Sequence, residues 1–129
     1  MRLFGTDPFE NGAAIAWLSE LESLDIVDIQ AVVDSIAVAI RIGLDIERDE
    51  VDDAMAIAAC TLVSEPERLR TALGTSANAV FAGLESLRHD AKVVVTKIAR
   101  RGALRDQMRA RLELTTWTEK MDALAARLG

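Results

Sequence analysis

The sequence predicts an all-α protein, a single domain over residues 1–129 in which about five to six helices surround a central alanine-rich helix. Three observations lead to this fold class. Turn formers and aromatic residues are scarce, with two Pro, seven Gly and no Tyr, whereas helix-favouring Ala, Leu, Arg and Glu are abundant. Apolar residues recur every three or four positions in most segments. Residues 54–63 carry no charge, as expected of a helix enclosed by protein.

Length and composition limit the class of protein further. A chain of 129 residues can bury about two thirds of the surface that its unfolded form exposes. The single cysteine, Cys60, excludes an intramolecular disulfide, and its apolar surroundings predict a buried core residue. No segment reaches the roughly 20 apolar residues of a membrane-spanning helix, and the N-terminus lacks a signal-like apolar run. We therefore expect a cytoplasmic protein with no membrane partner.

The first predicted helix begins near Asp7 and Pro8, which are arranged like an N-cap and a first-turn proline, or at Asn11 instead. Its apolar face recurs at helical spacing as far as Leu24. Gly5 and Pro8, flanked by Phe4 and Phe9, are interpreted as a structural clasp over the end of the bundle.

The same opening, Phe4-Gly5-Thr6-Asp7-Pro8-Phe9-Glu10-Asn11, resembles the start of an uncharacterised bacterial family. Members of that family open with an aromatic-Gly-Thr-Gly-Pro-Phe-Asp/Glu-Asn motif, followed by a helix and an Ala-rich segment. Phe4 stands where the family usually has Trp, and Asp7 stands where it has Gly. The family is a domain of unknown function, so the resemblance implies a fold and a bacterial origin and no catalytic residue.

A second helix, capped by Asp25 or Asp28, is predicted to run to Gly43. It is rich in β-branched residues, but its polar positions Gln30, Asp34 and Arg41 lie four and seven apart. That spacing fits a nearly buried helix better than a strand.

The most charged segment, residues 45–53, precedes the alanine-rich helix. It holds six acids, Asp45, Glu47, Asp49, Glu50, Asp52 and Asp53. These acids are the candidate partner-binding residues, and no cofactor or metal ligand is predicted.

Metal binding by the same acids has two forms. An EF-hand calcium loop is rejected, because Glu50 stands where the loop needs Gly and Ala56 where it needs a bidentate acid. A helical nucleotide pyrophosphohydrolase would hold magnesium with Asp49, Glu50 and Asp53, and its second acid pair would have to be Glu119 with Asp122, far downstream. The simpler interpretation is an acidic first turn that suits the helix dipole.

The C-terminal half is predicted to hold the remaining helices. Ser64 and Glu67 form a capping box for a short helix ending near Leu73. A fifth helix over residues 77–101 has the clearest apolar period, and His89 lies off it as a surface residue. A terminal segment breaks at Thr115-Thr116, and its last apolar stripe packs on the domain's own core or forms a homodimer seam.

Charge divides the chain into two unlike halves. Residues 1–67 contain fifteen acids and three arginines, whereas residues 68–129 contain six acids and twelve Lys or Arg. If the fifth helix continued through Gly102, a basic stripe of Lys97, Arg101, Arg105 and Arg109 would result. This stripe is interpreted as facing acidic helices of the same bundle or of a second copy. A net charge of −6 and the absence of interleaved aromatics argue against nucleic acid.

Two classes of function remain. The first is a non-enzymatic acidic binding protein with a basic protein partner, comparable to a bacterial immunity protein or an inhibitor. The second is a metal-dependent helical nucleotide pyrophosphohydrolase that uses Asp49, Glu50 and Asp53. We favour the first, because no catalytic, metal or phosphate motif stands out.

Overall fold

A computed structural model describes residues 12–22, 29–70 and 77–129. These residues form seven α-helices and no strand. The helices are α1 Gly12–Glu22, α2 Ile29–Ile42, α3 Glu50–Ser64, α4 Ala77–Glu85, α5 Arg88–Arg100, α6 Ala103–Ala110 and α7 Leu114–Leu128, with a 3₁₀ turn, Pro66–Leu69, after α3. The all-α fold class is confirmed. The resemblance motif at residues 4–11 and the predicted caps Asp25 and Asp28 lie outside the described residues.

Helix α3 is the centre of the bundle, as predicted. It contacts each of the other six described helices and the 3₁₀ turn. Between residues 54 and 63 every side chain except that of Met55 is buried. Ala56, Ala58 and Ala59 have no exposed surface, and such small side chains let neighbouring helices approach closely.

The core around α3 is aliphatic with two tryptophans. Trp17 of α1 and Trp117 of α7 are both buried. The other large side chains with almost no exposed surface come from several helices and include Ile36, Ile40, Ile57, Leu62, Leu84, Ile98, Met108, Met121 and Leu124. The burial of these apolar stripes is the main force that holds the bundle together.

The predicted fifth helix is two helices, so the expectation of one unbroken helix over residues 77–101 is wrong. At the break, the Leu87 N–H donates to the Leu84 carbonyl at 2.9 Å, and the Ser86 hydroxyl donates to the Gly83 carbonyl at 2.8 Å. One tightened turn leaves the apolar spacing of Leu84, Leu87 and Ala91 unchanged. The sequence period therefore could not reveal the break.

The terminal segment breaks at residues 111–113 and not at Thr115-Thr116, which lie inside α7. The Glu113 N–H donates to the Met108 carbonyl at 2.9 Å, and the Leu112 N–H donates to the Arg109 carbonyl at 3.1 Å. This pair of bonds is the Schellman ending of a helix, which usually has Gly at the left-handed position. Here Leu112 occupies that position, with φ +58°.

The predicted capping box at Ser64 is also wrong. The Ser64 hydroxyl donates back to the Thr61 carbonyl at 2.9 Å, so Ser64 completes the last turn of α3. Glu65 is the residue that precedes the 3₁₀ turn, and it makes no capping hydrogen bond with its side chain.

Candidate functional site

The candidate site is the connection between α2 and α3, residues 43–49. Helix α2 unwinds through successive three-residue turns, in which the N–H groups of Gly43, Leu44 and Asp45 donate to carbonyls at 3.0–3.1 Å. Gly43 is buried, and a Cβ at this position would collide with the side chain of Val94 and lie 3.0 Å from the Cβ of Ala56. The connection therefore starts from a point fixed against α3 and α5.

The buried side chain of Arg48 stabilises this connection. Its Nε lies 2.6 Å from Oδ1 of Asp53, and the two side chains are 5% and 0% exposed. Its Nη1 donates to the Asp45 carbonyl at 2.6 Å, and its Nη2 donates to the Arg101 carbonyl at 3.2 Å. One guanidinium thus links the loop, the first turn of α3 and the end of α5.

Asp53 completes the same network with its second oxygen. Oδ2 accepts a hydrogen bond from the Leu104 N–H at 3.2 Å, so Asp53 caps the N-terminus of α6 from another helix. Gly102, immediately before α6, has φ +149°, and a Cβ there would lie 2.8 Å from Oδ2 of Asp53 and 2.9 Å from Nη2 of Arg48. Both the backbone angle and the close approach require Gly.

The burial of Asp53 corrects the set of predicted partner-binding residues. Asp53 has no exposed surface, and both of its oxygens are occupied within the chain. Asp53 therefore cannot contact a partner, and its place among the candidate partner-binding residues is wrong. No sequence pattern separates Asp53 from Asp52, because both lie in the acidic first turn of one helix.

Asp49 and Asp52 form a reciprocal capping box at the start of α3. The Asp52 N–H donates to Oδ1 of Asp49 at 2.8 Å, and the Asp49 N–H donates to Oδ2 of Asp52 at 3.3 Å. The interpretation of an acidic, dipole-compatible first turn is consistent with this geometry. Each carboxylate still has an oxygen outside these two bonds.

The remaining acids surround exposed apolar side chains. Asp45, Glu47 and Asp49 are exposed, and Glu50 and Asp52 are half-buried. We call the segment that carries these five acids, residues 45–52, the acidic loop; it comprises the end of the connection and the first turn of α3. Ile46, between Asp45 and Glu47, is 94% exposed, and Leu44 and Val51 are also exposed. Sequence reasoning missed Ile46, although an isoleucine between two acids in a charged segment was the available signal. It also missed Arg48, the lone base among six acids.

A metal-binding arrangement is not found in the described part of the chain. No group of three or more His, Cys, Asp or Glu side chains among residues 12–22, 29–70 and 77–129 could hold a metal ion. Asp53, required by the pyrophosphohydrolase hypothesis, is bound to Arg48 instead. Glu119 and Asp122 are exposed on α7.

The predicted basic stripe is divided, because α5 ends at Arg100 and Gly102 turns the chain. The Lys97 ammonium donates to the Leu44 carbonyl at 2.7 Å, and Nη1 of Arg105 donates to the Ala99 carbonyl at 2.8 Å. Arg101 and Arg109 are exposed. The four cations therefore do not form one continuous row.

The predictions of a buried Cys60 and a surface His89 are both confirmed. Cys60 is buried, its thiol lies 3.5 Å from the Ala91 carbonyl, and burial raises the pKa of that thiol, which keeps it protonated and unreactive. His89 is exposed on α5.

No protein-family model, curated protein or solved structure matches this chain. None of the described helices has the length and apolar character needed to cross a membrane.

Proposed function

We propose that this protein is a non-enzymatic binding protein whose acidic loop docks onto a basic surface of a protein partner. The observation that carries the proposal is Ile46, which is 94% exposed between Asp45 and Glu47. An exposed isoleucine can be buried by a partner, while the surrounding acids accelerate association with a basic surface and select against acidic ones.

The contacts of Arg48, which hold the acidic loop in one conformation, favour this function. Arg48 fixes the backbone at Asp45 through a 2.6 Å hydrogen bond and is itself fixed by the buried Asp53. A loop that is ordered before binding loses less conformational entropy when it binds, which favours affinity. Asp53 therefore serves the proposed surface as a support and not as a contact.

The particular class we propose is an immunity-type or inhibitor protein of bacterial, cytoplasmic origin. A chain of 129 residues with net charge −6 suits such a neutralising partner. The resemblance of residues 4–11 to a bacterial domain of unknown function supports the bacterial origin and assigns no activity. The proposed partner is a basic protein, and neither nucleic acid nor a membrane is proposed.

The pyrophosphohydrolase alternative gains no support from the described residues, since Asp53 is occupied by Arg48 and by the start of α6. It is tested by incubating the pure protein with magnesium and nucleoside triphosphates. Nucleotide turnover, or a rise in melting temperature on addition of magnesium, would favour the enzyme over the binding protein.

The binding function is tested by association kinetics with a basic protein captured from the source cells. The variant Glu47→Lys/Glu50→Lys should slow association by about tenfold or more at low salt, and by less at high salt, because steering is screened. The matched control, Glu119→Lys/Asp122→Lys, makes the same charge change on exposed positions of α7. An equal effect of both variants would show that only net charge matters and would contradict a role for the loop.

The apolar contact is tested separately. Ile46→Ser should leave the melting temperature unchanged, because the side chain touches little of its own chain, and should raise the dissociation rate from the captured partner. An unchanged dissociation rate would remove Ile46 from the interface.

A further inference from the structure

A second charged surface lies on the outer side of α5. His89, Lys92, Val93, Thr96, Lys97, Arg100 and Arg101 line a groove of about 560 Å³. We call these seven residues the basic face. Their spacing of three and four places them on one side of the helix. Four of them are Lys or Arg, none is an acid, and Val93 is 43% exposed among them.

Most of this charge is not neutralised within the described part of the chain. The side chains of Lys92, Arg100 and Arg101 form no hydrogen bond or ion pair with another described residue. Lys97 alone is engaged, and its partner is a neutral carbonyl. Neighbouring cations on one helix face repel each other. An acidic surface packed against them would relieve that repulsion.

The basic face borders the acidic loop. The Lys97 ammonium reaches the Leu44 carbonyl at 2.7 Å, and a smaller groove of about 230 Å³ is lined by Ile46, Arg48, Lys97, Arg101 and Gly102. The basic face therefore meets the segment in which Ile46 lies between Asp45 and Glu47, so cations and acids occupy adjoining parts of the molecule. Each half contains an exposed apolar residue, Ile46 in one and Val93 in the other.

We propose that this surface binds a second copy of the chain through a two-fold axis, with the acidic loop of each copy on the basic face of the other. A two-fold interface presents the same surface from both copies, so every contact occurs twice. A surface with an acidic and a basic half is complementary to itself under that symmetry. A phosphate backbone is the poorer occupant, because the adjacent acids would repel it.

This self-association does not depend on the proposed basic partner. The two would nevertheless compete, since both use the acidic loop. A partner bound at the loop would displace the second copy and release a one-to-one complex.

The first test is the molecular mass in solution, measured by sedimentation equilibrium across a salt series. The wild-type protein should be dimeric near 0.01 M salt and should shift towards monomer near 1 M, where the screening length falls from about 30 Å to about 3 Å. A monomer at every salt concentration would overturn the proposal. A mass that grows beyond the dimer at low salt would also overturn it, because it would indicate open, head-to-tail association.

The second test exchanges charges between the two halves. One variant, Asp45→Lys/Glu47→Lys, reverses the loop, and the other, Arg100→Glu/Arg101→Glu, reverses the basic face. All four side chains are exposed, so both variants should keep the wild-type melting temperature. Each alone should be monomeric, because like charges then meet, whereas an equal mixture should restore a dimer containing one chain of each.

The control for the exchange is Glu119→Lys/Asp122→Lys, which should remain dimeric at low salt. Two results would contradict the two-fold arrangement: a mixture that stays monomeric while the wild-type chain dimerises, and reversed variants that each dimerise alone. Neither result would bear on binding of a basic partner, which is measured by a different readout.

Discussion

The two junctions that flank α6 are built differently, although each contains a residue with positive φ. Before α6, Gly102 has φ +149°, and the buried side chains of Arg48 and Asp53 lie against it. After α6, Leu112 has φ +58°, is 94% exposed and is held by backbone hydrogen bonds of its own segment. The first junction joins residues about fifty positions apart, whereas the second is local.

This difference determines where the stability of the bundle is sensitive. A buried ion pair is costly to break, because the charge left behind has no water around it. An exposed left-handed leucine instead carries backbone strain that no packing offsets. Removal of the ion pair at the first junction should therefore destabilise the protein strongly. Removal of the backbone strain at the second should stabilise it slightly.

The largest effect is expected from Asp53→Ala. The change leaves the buried guanidinium of Arg48 without its carboxylate and the Leu104 N–H without its acceptor, and it should cost about 3–5 kcal/mol of unfolding free energy. Urea unfolding measures this. The neighbouring change Asp52→Ala removes only the hydrogen bond that the Asp52 carboxylate accepts from the Asp49 N–H. It should lower the free energy of unfolding by about 1 kcal/mol. Similar losses of stability for Asp53→Ala and Asp52→Ala would mean that the burial of Asp53 does not make it more important to stability than Asp52.

The change Ala58→Leu tests the close packing of α3, the helix that carries Asp53. Ala58 has no exposed surface, so added methyl groups should overpack the core and cost roughly 1–3 kcal/mol. Ala82→Leu on the exposed side of α4 is the matched control and should change stability by less than about 0.5 kcal/mol. A melting temperature unmoved by Ala58→Leu would show that α3 is not the centre of the packing.

Gly102→Ala tests the backbone of the first junction. The observed φ of +149° and ψ of 175° are almost exclusive to Gly, so an alanine should cost about 1–3 kcal/mol. The new Cβ would also press on Asp53 and Arg48. A loss below about 0.5 kcal/mol would mean that the junction before α6 adjusts freely and is not fixed by Arg48 and Asp53.

The smallest effect has the opposite sign. Leu112→Gly removes left-handed strain of about 1–2 kcal/mol and adds a backbone-entropy cost of about 0.5–1 kcal/mol, for a net stabilisation of roughly 0.5–1 kcal/mol. Leu112→Ala keeps the Cβ and should be neutral, because the leucine side chain is exposed. If alanine stabilised the protein as much as glycine does, strain would not be the cause.

The contrast between the junctions also explains what the sequence could predict. The all-α class and the central position of residues 54–63 follow from composition and from an uncharged run, which are local properties. The predicted fifth helix ends at residue 101, directly before Gly102. The partners of Gly102, Arg48 and Asp53, were not visible, because a contact across about fifty residues leaves no periodic signal in one chain.

The second junction was missed for another reason. Sequence rules place a helix end at Gly or Asn, and Leu112 is neither. The acidic loop was found because its charges are contiguous, but the division between exposed and buried acids depends on the side of α3 that meets α6. That orientation is a property of the assembled bundle.

Asp53 is an internal support paired with Arg48, separate from the acids that face outward. A double-mutant cycle in urea with Arg48→Met, Asp53→Ala and the combined variant tests this pairing most directly. The double variant should be more stable than the two single losses predict, by about 2–3 kcal/mol, because it leaves no unpaired buried charge. Losses that add to within about 0.5 kcal/mol would contradict the pairing.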